Sequence, residues 1–271
     1  MSSVSVSDEC IAALTASVDK NVNFSSAAAR RGSVPRLSSL FKDLQKILRP
    51  EVSYEIGAFE AEFSLDIKKM FPDIAAYAFE ANPHNYSHWT RSNPELSSIS
   101  YQHLAISHND GTVTFSIQDK WKVTGRPFPK VRGNNSIMQR ADPRIKYVEV
   151  TVPSKRLDTF AAENDLRGKS ACAWIDVEGA QESVLTSATD VLRTDIDSIL
   201  IEVEEHVFWE RQWLKHQVLK YLEDLDFVCV ARDFPDPRQH NILLVKRRRI
   251  PDVFEHLQTW HAQSTGESVG E

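Results

Sequence analysis

The feature that most constrains this chain is a regular alternation of strand-like and helix-like segments between residues 52 and 203. The order strand, helix, strand favours a parallel sheet with helices on both faces. The sequence therefore predicts an α/β fold with a doubly wound sheet. The expected strands are 52–56, 74–79, 98–106, 112–117, 147–152, 171–175 and 198–203, and the expected helices between them are 60–71, 83–91, 157–164 and one that ends near 192.

The carboxyl-terminal part departs from this alternation. A long helix is expected at about 208–225, followed by strand-like runs at 227–231 and 241–246. The polar segment between these two runs contains Pro235 and Pro237 and is too short for a crossover helix. Two strands joined in this way form an antiparallel hairpin. We therefore expect the parallel sheet to finish in an antiparallel hairpin.

Length and composition fit one α/β domain with extensions at both ends. The chain has 271 residues, of which 41% are hydrophobic and 26% are charged, so a sizeable core can form. A weak helical pattern at 8–20, a Ser/Ala-rich link and an amphipathic helix from Pro35 to Pro50 precede the alternating part. We expect an N-terminal helical extension at 1–49, a main domain at 50–250, and a C-terminal helix and tail at 251–271.

Charge and cysteine content limit the partners and the compartment. The formal net charge is −6, whereas nucleic-acid binding usually uses a basic face. No segment is apolar enough for a membrane span, and the N-terminus lacks the pattern of a standard signal peptide. Three widely spaced cysteines do not make a disulfide framework. We therefore predict a cytoplasmic protein that binds no nucleic acid and has no membrane span. Whether the residues before Pro35 make homodimer contacts stays open.

The connection after the first strand is a candidate nucleotide-binding turn. It reads YEIGAFEAEFS from Tyr54 to Ser64, with Gly57 directly after the strand. A glycine here permits a tight turn and the close backbone approach that an adenosyl group requires, although an ordinary turn explains one glycine as well. Glu80 ends the neighbouring strand, where a carboxylate can accept hydrogen bonds from both ribose hydroxyls. The alternative for Glu80 is a solvent-facing acid.

Acidic residues also end two later strands. Asp176 and Glu178 follow a buried strand, and the alternation of an extended chain puts them on the same side. Ligands bind at this end of the strands in open α/β sheets, so these acids can serve as a general base, as metal ligands or as acceptors for substrate hydroxyls. One of them could instead cap the following helix. Glu202 lies inside an apolar run and needs a partner or a role, and His206 is a further candidate base.

Residues 118–146 interrupt the pattern with a long segment that contains glycine and proline. A loop of this length inside a compact domain is usually functional or disordered. Its aromatic rings and hydrogen-bond donors suit a sugar, whose apolar face stacks on rings. We predict an acceptor-site lid with contacts from Trp121, Arg126, Phe128, Arg132, Asn134, Asn135 and Ser136.

In this order, the segments resemble the FkbM family of S-adenosylmethionine-dependent methyltransferases over about residues 52–246. EIGAFEAEFS is similar to the family's D-x-G-A-N-x-G cofactor loop, and YAFEANPHNY is similar to its Y-x-F-E-P-x-P segment. HLAISHNDGTVTF resembles A-L-S-x-x-x-G, RLDTF resembles the L-D segment, WIDVEGAQESVL resembles K-I-D-V-E-G-A-E, and ILIEVEEH resembles the closing I-x-x-E strand. The combination is far more specific than any single segment.

The resemblance implies a Rossmann-like, seven-stranded class I methyltransferase sheet, mostly parallel, with an antiparallel C-terminal hairpin. It implies S-adenosylmethionine as cofactor, S-adenosylhomocysteine as product, and O-methylation of a sugar, glycan or natural-product hydroxyl. The cofactor contacts that it implies are Glu55, Gly57, Ala58, Phe59, Glu62, Ser64, Glu80, Ala81, Ala105, Ser107 and Asp176. Asp176 is the first candidate for the general base or for metal-assisted activation of the hydroxyl, with Glu178 and Glu202 as supporting acids. His206 is the last candidate for the base. Whether the reaction requires a divalent metal stays open.

The cofactor loop departs from the family pattern, because Glu55, Phe59 and Ala61 stand where the family has Asp, Asn and a second Gly. Glu55 keeps the charge, and Ala61 adds a methyl group where backbone approach matters. Two rival hypotheses remain. One is a binding or scaffold protein with a degenerate cofactor loop on the same fold. The other is an NAD-dependent oxidoreductase, which requires the full glycine fingerprint, whereas only Gly57 is present.

Overall fold

The computed structural model describes residues 6–20 and 22–265, with side chains described to residue 263. Residues 1–5, 21 and 266–271, which belong to the expected terminal extensions, lie outside the described residues. The α-helices of the described part are α1 (Asp8–Ser17), α2 (Ala27–Leu48), α3 (Glu62–Met70), α4 (Pro83–Ser92), α5 (Leu157–Glu163), α6 (Gln181–Ser187), α7 (Thr189–Thr194), α8 (Lys215–Asp224) and α9 (Ile250–Thr265). The strands are β1 (Val52–Ile56), β2 (Ala75–Glu80), β3 (Ser100–His103), β4 (Ala105–Ile106), β5 (Gly111–Trp121), β6 (Ile145–Lys155), β7 (Ala171–Ile175), β8 (Ile196–Glu204), β9 (Phe227–Arg232) and β10 (Gln239–Lys246).

Seven strands form the main sheet in the order β3-β2-β1-β7-β8-β10-β9. The first five are mutually parallel, and β10 runs antiparallel to both β8 and β9. The predicted seven-stranded α/β sheet with an antiparallel C-terminal hairpin is therefore confirmed. β1 is buried along its whole length, as expected of a central parallel strand with helices on both faces.

The strand order reverses beside β1, and this reversal positions the site. The chain builds β2 and β3 outward on one side of β1 and then returns to β7 on the other side. Ligands bind in the crevice that opens where the strand order reverses. Ile56 of β1 lies in register with Phe79 of β2 and Ile175 of β7. Gly57, Glu80 and Asp176, which follow these residues, therefore lie at one edge of the sheet.

A second, three-stranded sheet in the order β4-β6-β5 corrects three expectations. The strand expected at 98–106 is divided, because β3 joins the main sheet and β4 joins the small one. The strands expected at 112–117 and 147–152 are longer and pair with each other, outside the main sheet. The segment expected as a loop from residue 118 begins as strand, because β5 continues to Trp121. Its return path is held against β5 by a 2.8 Å hydrogen bond from Ser116 N to Ser136 O.

Two helices begin at positions that the sequence did not predict. α2 begins at Ala27 and includes Pro35, because Ser26 caps it by accepting a 3.1 Å hydrogen bond from Ala29 N. The proline then costs the helix one backbone hydrogen bond. α8 begins at Lys215 instead of about 208, because residues 205–214 form an irregular segment. That segment carries Trp209, which is almost completely buried, toward the site.

The terminal helices pack against the main sheet. Apolar residues of α1, α2 and α9 share one buried cluster with Cys172 and Leu200 of the sheet. Burial of this kind is the main force that attaches such helices. The domain boundaries at 49 and 250 stay predictions. In the described part of the chain, no helix has both the length and the apolar content needed to cross a membrane.

Candidate functional site

Glu55 organises the turn after β1. Its side chain is 5% exposed and accepts hydrogen bonds from the backbone of Phe63 and Ser64, at 3.3 and 2.7 Å. These donors belong to the first turn of α3, where the helix dipole favours negative charge. Burial nevertheless raises the pKa of Glu55 to about 7. Both carboxylate oxygens therefore hold the start of α3 in place.

Glu80 is the last residue of β2, the strand next to β1. Its carboxylate accepts hydrogen bonds from Phe59 N at 2.9 Å and from Asn82 N at 2.6 Å. Burial raises its pKa to about 7. Each carboxylate oxygen can accept more than one hydrogen bond, so Glu80 still has capacity for ligand hydroxyls.

Gly57 is required by the chain itself. It has a φ of +81°, and a Cβ at this position would lie 1.7 Å from the carbonyl oxygen of Asp176. On the sequence alone, the approach of an adenosyl group and an ordinary tight turn were both open as reasons for this glycine. The structure adds a second cause, the close approach of the turn after β1 to the end of β7.

Two of the three residues that depart from the family pattern adopt glycine-like conformations. Phe59 has a φ of 46° and Ala61 a φ of 59°, both in the left-handed region. This region costs an L-residue roughly 1–2 kcal/mol. Phe59 is held there from both sides, because its N–H donates to Glu80 and its carbonyl accepts from the hydroxyl of Tyr101. Hydrogen bonds thus maintain a loop conformation that glycine would adopt without strain.

Two cavities meet at this turn. The first lies between the turn and the small sheet, and its lining includes six of the predicted cofactor contacts, namely Gly57, Phe59, Glu80, Ala81, Ala105 and Asp176. The second lies beneath α2 and is lined by Glu55, Ala58 and Glu62 together with Gly57, Phe59 and Asp176. We call the first the cofactor cavity. Ser64 and Ser107 line neither, because Ser64 is buried in α3 and the Ser107 hydroxyl bonds that of Ser154 at 2.6 Å.

Asn135 and Ser136, predicted as acceptor contacts, line the cofactor cavity instead. The side-chain oxygen of Asn135 accepts a 2.9 Å hydrogen bond from Gln118 N. Its Nδ2 is buried and has no partner among the described residues. An unpaired buried donor is costly. This donor therefore suits a ligand with an acceptor atom, as the nucleoside part of the implied cofactor has.

The three acids that follow β7 or lie in β8 form a compact cluster. Asp176, Glu178 and Glu202 each place one carboxylate oxygen within 4.8 Å of the other two. Burial, and then mutual repulsion, raises the pKa of Glu178 and Glu202, and burial raises that of Asp176. Burial and the closeness of the three carboxylates therefore disfavour the ionisation of all three at once. Such a cluster can accept a proton from a hydroxyl or ligate a divalent cation.

Glu178 links this cluster to the segment predicted as a lid. It has a φ of 51°, accepts a 2.9 Å hydrogen bond from Asn134 Nδ2, and pairs with Arg140 at 3.4 Å. Arg140 in turn lies over the ring of Trp209, with 4.3 Å from its Cζ to the ring centroid. The adjacent Gly179 is needed here, because a Cβ would lie 2.4 Å from that ring.

Arg140 and Trp209 were not among the site residues predicted from the sequence. Trp209 was assigned to the expected helix at 208–225, so nothing in the sequence placed it beside Gly179. Arg140 lies in the predicted lid, a segment assigned to substrate binding. Its cationic side chain in such a segment was the signal that could have marked it as a site residue.

A third cavity adjoins Glu178 on the lid side, and we call it the acceptor pocket. It is lined by Trp121, Phe128, Arg132 and Asn134, all predicted acceptor contacts, and by Arg140. The rings of Trp121 and Phe128 have centroids 5.3 Å apart. The two remaining candidates lie elsewhere: Arg126 and His206 are exposed and line none of the three cavities. The roles of all these residues stay predictions.

The strand order, the antiparallel β10, the glycine turn after β1 and the acid at the end of β2 together define a class I methyltransferase fold. Residues 51–229 match the Methyltransferase FkbM domain. The chain therefore belongs to the FkbM methyltransferase family, and it is an S-adenosylmethionine-dependent methyltransferase. No curated protein gives a significant match to the chain.

Several solved structures have a similar fold at low identity. The precorrin-6y C5,15-methyltransferase of Geobacter metallireducens GS-15 is 14% identical, with a TM-score of 0.38 over 78% of this chain and 86% of that one. The magnesium protoporphyrin IX methyltransferase of Synechocystis PCC 6803, with bound SAM, is 9% identical, with a TM-score of 0.44 over 83% and 85%. The N-terminal domain of EvdMO1, with SAH and D-fucose, is 10% identical, with a TM-score of 0.41 over 76% and 80%. These similarities are distant, and the family membership rests on the matched domain alone.

Proposed function

We propose that this protein transfers the methyl group of S-adenosylmethionine to a hydroxyl oxygen of a sugar, glycan or natural-product acceptor. The observation that carries the proposal is the position of the acid cluster. Asp176 and Glu178 line the cofactor cavity, whereas Asn134 and Arg140, which bind Glu178, line the acceptor pocket. A hydroxyl held at this junction lies beside carboxylates that can take its proton.

The residues of the cofactor cavity fit an adenosyl group. Glu80 can accept hydrogen bonds from ribose hydroxyls, and the unpartnered Nδ2 of Asn135 can donate one to a ring nitrogen or a ribose oxygen. Ile106 and Phe115 supply apolar walls for an aromatic base. When bound, the cofactor supplies a methyl group on a positively charged sulfur.

The acid cluster supplies the base. With the cofactor bound, a hydroxyl oxygen held at this junction would form a bond to the methyl carbon, and the carbon–sulfur bond would break with its electron pair left on sulfur. Asp176 accepts the hydroxyl proton and later releases it to water. Glu178 and Glu202, through repulsion and burial, keep the pKa values of the cluster raised, and a base is most effective when its pKa lies near the working pH.

The test uses labelled S-adenosylmethionine and a panel of nucleotide sugars, glycans and natural-product alcohols. We expect label in a methyl ether product, and we expect Asp176→Asn to lower kcat by about 10²–10⁴-fold, the usual contribution of a general base. His206→Gln decides whether the exposed histidine contributes. Glu210→Gln is the matched control, because Glu210 is exposed and lines none of the three cavities.

The outcomes separate the alternatives. Loss of activity in EDTA that Mg²⁺ restores would assign the cluster to metal-assisted activation instead of direct proton removal. No binding of S-adenosylmethionine or S-adenosylhomocysteine at millimolar concentration, with Glu80→Ala no worse than the wild-type protein, would favour the scaffold hypothesis. Equal activity of Asp176→Asn and the wild-type protein would refute the base assignment.

The proposal extends to location and assembly. A reducing compartment such as the cytoplasm suits the three cysteines, which are free, with Cys172 and Cys229 buried. Homodimer formation is also proposed, and sedimentation velocity over a range of concentrations tests it. A monomer at every concentration would refute it.

A further inference from the structure

The segment around the acceptor pocket has an unusual charge. Residues 118–146 carry eight Lys or Arg and only two Asp side chains, in a chain whose formal net charge is −6. Charge of one sign around a cleft attracts ligands of the opposite sign. Only the charges that line the pocket can contact a ligand, and only a lining charge without an ion-pair partner is available to bind one.

Arg132 lies in the pocket without an acidic partner. Its guanidinium donates a 3.3 Å hydrogen bond to Asn134 Oδ1 and lies 4.7 Å from the ring centroid of Phe128. Among the described residues, no carboxylate lies within ion-pair distance of it. Burial lowers the pKa of Arg132. A partly buried cation without a counter-ion is stabilised when a ligand supplies one.

The backbone at Arg132 is fixed. Asn85 of α4 accepts a hydrogen bond from Arg132 N and donates one to Arg132 O, both at 3.0 Å. Asn85 is 2% exposed. The position of this arginine is therefore set by two hydrogen bonds to a buried side chain, which limits the entropy lost when it binds an anion.

The other charges of the pocket are already paired. Arg140 pairs with Glu178 at 3.4 Å. Asp142 is the carboxylate that lines the pocket, and Arg144 donates hydrogen bonds to both of its oxygens, at 2.9 Å to Oδ1 and 2.6 Å to Oδ2. The hydrogen bonds from Arg144 lower the pKa of Asp142 to about 2, so Asp142 is ionised at neutral pH and remains paired with Arg144. Arg132 is left as the unneutralised charge among these lining groups.

We propose, on the basis of the methyltransferase function proposed above, that the acceptor carries an anionic group that Arg132 binds, on the same molecule as the methylated hydroxyl. Phosphate, sulfate and carboxylate share this chemistry. The Asn134 side chain bonds both Arg132 and Glu178, so one amide separates the anion site from the acid cluster. A single sugar ring that carries one anionic substituent can span it. The rings of Trp121 and Phe128 provide a face for that sugar to stack on.

The test measures binding to the full-length protein saturated with S-adenosylhomocysteine, at constant ionic strength. The probes are D-glucose, D-glucose 6-phosphate and D-glucuronate. We expect at least one anionic probe to bind 10-fold or more tightly than glucose, and Arg132→Gln to weaken it by about 10–100-fold, the range of a charge-assisted hydrogen bond. Arg126→Gln is the matched control, because Arg126 lies in the same basic segment but is exposed and outside the pocket.

The outcomes test the anion site and the proposed methyltransferase function separately. Anionic probes that bind no better than glucose, or equal losses in Arg132→Gln and Arg126→Gln, would overturn the anion site. Retention of the protein on phosphatidylglycerol vesicles without binding of either anionic probe would also overturn it, in favour of a membrane surface. If S-adenosylhomocysteine itself does not bind, the proposed methyltransferase function is refuted, and the anion site that rests on it is refuted as well. With an anionic acceptor found by labelled methyl transfer, Arg132→Gln should raise KM and largely retain kcat.

Discussion

Replacing Gly57 by alanine tests the packing that forms the cofactor turn. The left-handed φ of +81° costs an alanine roughly 1–2 kcal/mol. The new Cβ would also lie 1.7 Å from the Asp176 carbonyl oxygen. That oxygen cannot move freely, because Asp176 N donates a 2.9 Å hydrogen bond to Ile56 O between the two strands. We therefore expect Gly57→Ala to lower the free energy of unfolding by at least about 4 kcal/mol, the range of exceptional core substitutions.

Gly168→Ala is the matched control for this substitution. Gly168 has a φ of +78°, and no atom lies within 4 Å of the position that its Cβ would occupy. Only the backbone cost of about 1–2 kcal/mol should remain. Urea unfolding followed by circular dichroism measures both variants. If Gly57→Ala loses no more stability than Gly168→Ala, the contact with Asp176 does not explain the glycine.

Two further predictions concern the same edge of the sheet. Tyr101→Phe removes the donor that holds the Phe59 carbonyl, so affinity for S-adenosylhomocysteine should fall by about 3–10-fold, equivalent to one hydrogen bond, and unchanged affinity would contradict this role. The second prediction concerns pH, because burial raises the pKa values of Glu55, Glu80 and Glu204 from 4.5 to about 7. Groups whose pKa is higher in the folded state add stability that is fully present below the unfolded value and is lost as pH rises through the folded one. The free energy of unfolding of the ligand-free protein, measured by urea denaturation, should therefore fall between pH 5 and pH 8.5, by up to about 3 kcal/mol per group, and a rise over this range would refute the prediction.

The strands and the acid cluster were predictable because local pattern determines them. β1 and β7 are short apolar runs bounded by polar residues or glycine, and the structure reproduces their predicted bounds. Parallel register then brings the residues after β7 close to those at the end of β8, so the proximity of Asp176 and Glu202 follows from topology.

The remaining features depend on contacts between distant segments. Trp209 lies beside Gly179 only because residues 205–214 are irregular, and no local pattern specifies where such a segment packs. Asn135 and Asn134 are adjacent in the sequence, yet they line different cavities, and no local pattern specifies that division. The sequence therefore predicts that this segment contacts a ligand, but it does not divide those contacts between cofactor and acceptor.

Calorimetric titration with S-adenosylhomocysteine tests the central claim most directly. We expect one ligand to bind per chain with a micromolar Kd. Glu80→Ala should weaken binding by about 10–100-fold, because at least one hydrogen bond to a charged group is lost, while Glu210→Gln should bind as the wild-type protein does. The absence of binding at millimolar ligand, or equal affinity of Glu80→Ala and the wild-type protein, would contradict a cofactor site at the ends of β1 and β2.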